Sequence, residues 1–234
     1  MSNVARLPKD QENASFSQKI SDFLRKYRTI VLAVLGAAVL AVIVVALWSA
    51  IHGAAVRNST ARLEKAQASI AALADEKDEA KKAELEKAAV ADLDAIAAKW
   101  PRLFAGQRAR LLKGRLAADK KDWALAEKEF IAVADAAGSS YLAPAALQEA
   151  AVAAEERGAP EKAVEYYKRF VDKFPKAAGV PHAWFSLGRL AEDSKDYVAA
   201  MGHYEKVVAA FPDDDWTKLA KDRILSLKSR GLAK

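Results

Sequence analysis

Four helix-breaking residues, Pro101, Gly138, Pro175 and Pro212, stand at one spacing of 37 residues. A fixed period of this size marks stacked supersecondary units, and it constrains the fold more tightly than any local propensity. The segments between the breakers share residues as well as length. Gly114-Arg115-Leu116-Ala117, Lys121-Asp122-Trp123, Ala126 and Phe130 match Gly188-Arg189-Leu190-Ala191, Lys195-Asp196-Tyr197, Ala200 and Tyr204 at twice the period. Ala151, Ala154, Ala163 and Tyr167 fall into register between them. Ala, Leu, Glu and Lys dominate, so each copy reads as a helix, a short turn, a second helix and a breaker. Asp122 and Asp196 are placed to cap second helices, while Gly158-Ala159-Pro160 ends one helix and starts the next in the middle copy.

The repeat core is expected at Gly114, Ala126, Phe130, Ala163, Tyr167, Leu187, Gly188, Ala200 and Tyr204. Gly114, Ala151 and Gly188 are small enough for paired helices to approach where Ala126, Ala163 and Ala200 face them, and the aromatics fill the space between one pair and the next. After Pro212, Asp213-Asp214-Asp215 precede a stripe of Trp216, Ala220, Ile224 and Leu227. That is the pattern of a capping helix, which a stack needs to cover its last apolar face. Ahead of the first copy, Ala89, Leu93, Ile96 and Pro101 fit the second helix of a degenerate repeat whose first helix lies within 58–78.

One stretch has a different character. Thr29 to Ile51 holds 23 residues without a charge, about 34 Å as a helix against a hydrocarbon core of about 30 Å. Its lead of 28 residues is long for a cleavable signal, and the chain has no Cys that a lipid might modify. The stretch therefore reads as a single-pass anchor. Lys19, Arg25, Lys26 and Arg28 precede it closely and only Arg57 follows, which puts the N-terminus in the cytoplasm and the repeats in the periplasm. Phe16, Ile20, Leu24 and Tyr27 recur at helical spacing among those bases, the pattern of an interfacial amphipathic helix, so residues 16–51 are the lipid-contacting part.

The net charge of +6 has little meaning for the repeats. Residues 1–28 hold six Lys/Arg and three Asp/Glu, half of the excess, and the remainder is spread over a nearly balanced domain with no footprint for nucleic acid. Searching for chemistry yields no HExxH, no GxSxG, no phosphate-cradling loop and no zinc spacing, and His52, His182 and His203 lack ligand partners at helical spacing. They read as isolated surface histidines. The expectation is a chain that is not an enzyme and uses no cofactor and no metal.

The repeats resemble the tetratricopeptide repeat, most closely in the third copy, where Trp184, Leu187, Gly188, Ala191, Ala200, Tyr204 and Pro212 occupy signature positions. The middle copy has Ala150-Ala151 where the family has Leu-Gly, and each copy carries about three residues beyond the usual 34, as in Gly138-Ser139-Ser140 and Ala177-Ala178-Gly179. The resemblance implies a concave groove lined from the first helices by Arg108, Leu111, Arg115, Gln148, Val152, Glu155, His182, Phe185, Arg189 and Glu192. Arg115 and Arg189 would there meet a partner's acidic groups or lie solvated with their stems along the stack.

The expected architecture is all-α: a cytoplasmic tail (1–28), a transmembrane helix (29–51), a helical linker with the degenerate repeat (52–101), three tetratricopeptide-like repeats (102–212) and a C-terminal capping helix (213–234). This layout resembles the YfgM-like family of bacterial inner-membrane proteins. It implies an ancillary subunit of the SecYEG translocon, linked to periplasmic chaperones and their clients. Alternatives are an adaptor for another envelope assembly, division or secretion process, and a homo-oligomer that self-associates through its solenoid edge and Ala-rich span.

Overall fold

A computed structural model of the chain describes residues 18, 20–136 and 141–233. It forms two compact units, Met1–Ala55 and Val56–Lys234. Phe16, Lys19 and the Gly138-Ser139-Ser140 segment lie outside the described residues. No strand occurs among those described.

In the first unit residues 20–26 are helical, Tyr27 is a bend, and α1 (Arg28–Asp75) begins directly after it. Val34, Leu40, Val44 and Leu47 are all exposed. This helix is long and apolar enough to cross a membrane. Trp48 stacks on His52 at 5.3 Å near the end of the span.

The second unit is an all-α solenoid. The last part of α1 buries Ser59, Leu63, Ala66 and Leu73, and Arg62 lies 5.7 Å over the Trp100 ring. Next come α2 (Glu79–Lys99), α3 (Phe104–Asp119), α4 (Trp123–Ala136), α5 (Leu142–Glu156), α6 (Pro160–Lys173), α7 (Val180–Asp193), α8 (Tyr197–Ala210) and α9 (Asp215–Ser229). From α2 onward each helix packs on its successor. Alternating apolar stripes are thus buried between neighbours, and the largest core cluster runs from Leu111 to Leu190.

Local chemistry sets the boundaries. Asp122 accepts from the Leu125 amide at 3.1 Å and Asp196 from Ala199 at 3.0 Å, so equivalent carboxylates start α4 and α8. Pro160 starts α6 after Gly158, whose φ of 76° is left-handed. Lys121 and Lys195 occupy the same repeat position with φ of 61° and 65°. Of Asp213, Asp214 and Asp215, Asp214 is the cap of α9, accepting from Trp216 at 2.9 Å. Ala220 and Leu227 of α9 are fully buried with Tyr204 and Val207, so α9 covers the end of the stack.

The small residues act differently from the expectation drawn from their spacing. A Cβ on Gly114 would sit 2.5 Å from the Phe130 ring, and one on Gly188 would sit 2.5 Å from the Tyr204 ring. Each glycine therefore makes room for the aromatic of its own repeat. Ala126, Ala163 and Ala200 are fully buried, as are Tyr167 and Leu187.

Candidate functional site

The first helices of successive repeats stand side by side, α3 touching α5 and α7 touching α9, with side-chain pairs joining α5 to α7. On their shared face two charged clusters recur, with Glu and Tyr at the repeat period and the arginines 34 residues apart. Glu155 on α5 accepts from the Tyr167 hydroxyl at 2.8 Å and is ion-paired with Arg189 on α7. Glu192 on α7 accepts from the Tyr204 hydroxyl at 3.1 Å and from Arg223 on α9 at 3.1 and 2.5 Å, with Arg230 at 4.0 Å. Each carboxylate thus clips the second helix of its own repeat to the first helix of the next. Burial first, and then the adjoining carboxylate, pushes the Tyr204 phenol up to about 12 and the Tyr167 phenol higher still, so both remain neutral donors.

A third contact between repeats is neutral. Gln148 Nε2 donates to His182 Nδ1 at 3.0 Å, which leaves the other ring nitrogen toward Ser186 Oγ at 3.4 Å. The imidazole lies 4.6 Å from Trp216 and 6.0 Å from Tyr167, and burial pulls its pKa below the ordinary value. His182 is therefore a packed joint between the second and third repeats and the cap helix, where the sequence suggested an isolated surface residue.

The groove positions inferred from the family resemblance divide by environment. Arg115, Gln148, Glu155, His182 and Arg189 lie along one face, but each is engaged within the chain; Arg115 is bound by Glu149, whose oxygens accept from Nε at 3.0 and 3.1 Å. The two arginines are thus neither free for a partner nor merely solvated. Phe185 is half-buried, with its ring 5.1 Å from Trp216 and 5.4 Å from Tyr204. Glu192 is buried, its side chain 8% exposed. Arg108 is half-buried on α3 and lines neither cavity described below. Leu111 is a correction: it belongs to the core cluster and is 1% exposed. At this repeat position the side chain faces the next repeat, as Gln148 faces His182 and Phe185 faces Trp216, so an apolar residue there is covered.

Glu149 was not read from the sequence, although a signal was present; Arg223, 31 residues after Glu192, carries no such signal. Arg115 precedes Glu149 by 34 residues, Gln148 precedes His182 by 34 and Glu155 precedes Arg189 by 34. An offset one helical turn short of the period places partners opposite each other on neighbouring first helices.

Two hollows lie on this face. A cavity of about 550 Å³ is lined by Ala118, Trp123, Phe130 and Val152 with Arg115 and Glu149 at its rim. A smaller one of about 230 Å³ is lined by Val152, Tyr167, Phe185 and Trp216 among others. Val152 belongs to both, so they form one trough along α3, α5 and α7. Among the described residues no three His, Asp or Glu converge as a metal site would require.

This geometry has relatives. Residues 145–177 match the tetratricopeptide repeat family. The matched segment is α5, α6 and Pro175, the middle copy, although the third carries more signature residues. A curated relative, the TPR repeat-containing protein of Treponema pallidum (strain Nichols), is 32% identical over 149 residues, 62% of this chain and 61% of that protein. The chain thus spans about three fifths of its curated relative's length. Among solved structures, the Sgt2 TPR domain from Aspergillus fumigatus is similar at 24% identity with a TM-score of 0.43, over 53% of this chain and 82% of that one. Tetratricopeptide domains bind other proteins, and the matched segment lies within the solenoid that begins at Val56.

Proposed function

We propose that this chain is a membrane-anchored scaffold of the bacterial inner membrane, with its N-terminus cytoplasmic and its repeats periplasmic. Its role is that of an ancillary component at the SecYEG translocon and the periplasmic chaperone network. Partner or client segments lie in the trough along α3, α5 and α7. The observation that carries this reading is the trough itself: Val152, 40% exposed, joins two hollows on a face where Arg115 pairs with Glu149 and Arg189 with Glu155. Such a surface is preorganised, so a partner meets it without reordering long charged side chains. The bare apolar length of α1 supports the anchor, and the basic residues before it support the orientation.

Photo-crosslinkers placed in living cells at Val152 and Phe185 test the proposal, with Val198, an exposed residue on α8, as the control outside the trough. Translocon subunits, periplasmic chaperones or exported chains should be captured from the two trough positions. Absence of all three, or equal capture from Val198, overturns it. Protease protection of the repeats in intact cells, lost on opening the outer membrane alone, tests the orientation.

A further inference from the structure

The Glu–Tyr–Arg clip occurs at two successive junctions and is missing from the first. One period before Glu155, Tyr167 and Arg189 stand Ala118, Phe130 and Val152. All three polar members are apolar at once, and the vacated volume is the 550 Å³ cavity, which Ala118, Phe130 and Val152 line together with Trp123. The junction is closed at its rim instead, by Arg115 with Glu149. At the next junction, where the clip is present, the hollow is smaller, about 230 Å³.

A second observation concerns charge. Asp119, Glu156 and Asp193 are the last residues of α3, α5 and α7 and recur at the repeat period. A helix C-terminus favours cations, and none of these three helices has a basic residue in its last turn. An acid placed there three times works against the helix dipole and gives the trough a negative edge. Asp119 lines the large cavity and Glu156 the smaller one, and neither takes part in an ion pair among the described residues, whereas Asp193 has Arg189 at 3.5 Å.

We infer that the first junction is an anchor pocket for one bulky apolar side chain of a partner polypeptide, whose neighbouring basic side chains lie against Asp119 and Glu156. This rests on the scaffold reading and adds the chemistry of the segment recognised. The apolar floor supplies affinity through burial, and the acidic edge supplies selection and register. An acidic segment of equal hydrophobicity is rejected.

The test uses the full chain in lipid nanodiscs and three fluorescent dodecapeptides read by anisotropy. One has a central Phe flanked by Lys, one the same Phe flanked by Glu, and one Ser in place of Phe between Lys. The first should bind about tenfold or more tighter than either other, the ratio expected from burying one aromatic or reversing its flanks. Ala118→Glu, Phe130→Tyr and Val152→Arg together install the clip already present at the next junction, and should abolish that preference. Because Val152 is exposed, Val152→Gln alone cannot unfold the chain and should weaken the first peptide about threefold or more. Asp119→Asn with Glu156→Gln should erase the discrimination between Lys and Glu flanks. Equal binding of the Phe and Ser peptides, or unchanged binding by the triple variant, overturns the proposal. So does concentration-dependent dimerisation that the triple variant removes, which would assign the pocket to a second copy. If the peptides fail while crosslinks at Val152 and Phe185 still capture export components, the pocket chemistry falls and the scaffold stands.

Discussion

Arg189 on α7 is ion-paired with Glu155 on α5, one repeat earlier. The same carboxylate holds the Tyr167 hydroxyl, so three helices meet at one acid. Repetition at Glu192, Tyr204 and Arg223 makes this a structural device of the stack. It also sets what the groove offers, because charges that look available in the sequence are spent on neighbouring repeats.

The clip at the end of the stack should show coupling between its members. Tyr204→Phe leaves Glu192 with Arg223 and is expected to cost about 1 kcal/mol, one net hydrogen bond. Glu192→Ala strands both the buried hydroxyl and Arg223, and is expected to cost about 2 kcal/mol. The double variant reproduces the Ala118–Phe130 pair of the first repeat, so its cost should fall short of the sum by about 1 kcal/mol. Hydrogen exchange at α8 and α9 amides measures this locally. Strict additivity would mean that the three groups do not act together.

Two half-buried imidazoles give the repeats a dependence on pH. His182 is packed among Tyr167, Trp216 and Gln148, with Glu155 and Arg189 as its charged neighbours. His203 stacks on Trp184 at 5.4 Å with Nδ1 buried and unpartnered, and Lys206 and Lys168 nearby. Burial is the main cause that lowers both pKa values, and the nearby lysines add to it at His203. A depressed folded value means that the unfolded chain takes up the proton first as pH falls. Their contribution is complete above the unfolded value, about 6.5, and is lost as pH descends toward the folded values. Thermal unfolding from about pH 8 to about pH 5.5 should show this decline, and His182→Gln with His203→Gln should flatten it. An unchanged slope in the double variant would place the dependence elsewhere.

The helix pairs, their caps and the breakers Pro101, Pro175 and Pro212 were legible because they depend on residues close in sequence: Asp122 and Asp196 cap as their spacing implies. The apolar character of α1 was legible for the same reason. What the groove residues touch was not, because Arg115, Glu155 and Glu192 find their partners one repeat away and the period alone does not give the turn of offset between neighbouring helices. Leu111 was misplaced for a related reason. Its register on α3 is that of a lining residue, and only the position of the next repeat covers it.

The left-handed turn residue allows a comparison inside one molecule. Lys121, Gly158 and Lys195 hold the same repeat position with positive φ. A side chain there costs about 1–2 kcal/mol, partly offset by the lower flexibility it gives the unfolded chain. Lys121→Gly and Lys195→Gly should each stabilise by about 0.5–1 kcal/mol, and Gly158→Ala should destabilise by about 1 kcal/mol. Nothing lies within 4 Å of a Cβ at Gly158, so the effect there is of the backbone alone. Urea unfolding followed by circular dichroism distinguishes the signs, and a gain from Gly158→Ala would contradict the account.

Glycine inside a helix should show both signs of the alanine substitution, decided by what faces it. Gly202 lies in α8 with nothing within 4 Å of a Cβ, so Gly202→Ala should stabilise by about 0.5–1 kcal/mol through helix propensity. Gly114 and Gly188 are also helical, but their added Cβ would meet the Phe130 and Tyr204 rings at 2.5 Å. The Tyr204 ring is fully buried, and the Phe130 ring, 2% exposed, could retreat only toward the cavity it lines. Overpacking of this kind costs about 1–3 kcal/mol, more than the propensity gained. If the ring is the cause, Gly114→Ala should be rescued by Phe130→Leu, and Gly188→Ala by Tyr204→Leu only in part, because Leu also abandons the Glu192 hydrogen bond. Melting temperatures of the single and paired variants settle this. Equal rescue at the two sites would show that the Tyr204 hydroxyl contributes nothing to the third junction.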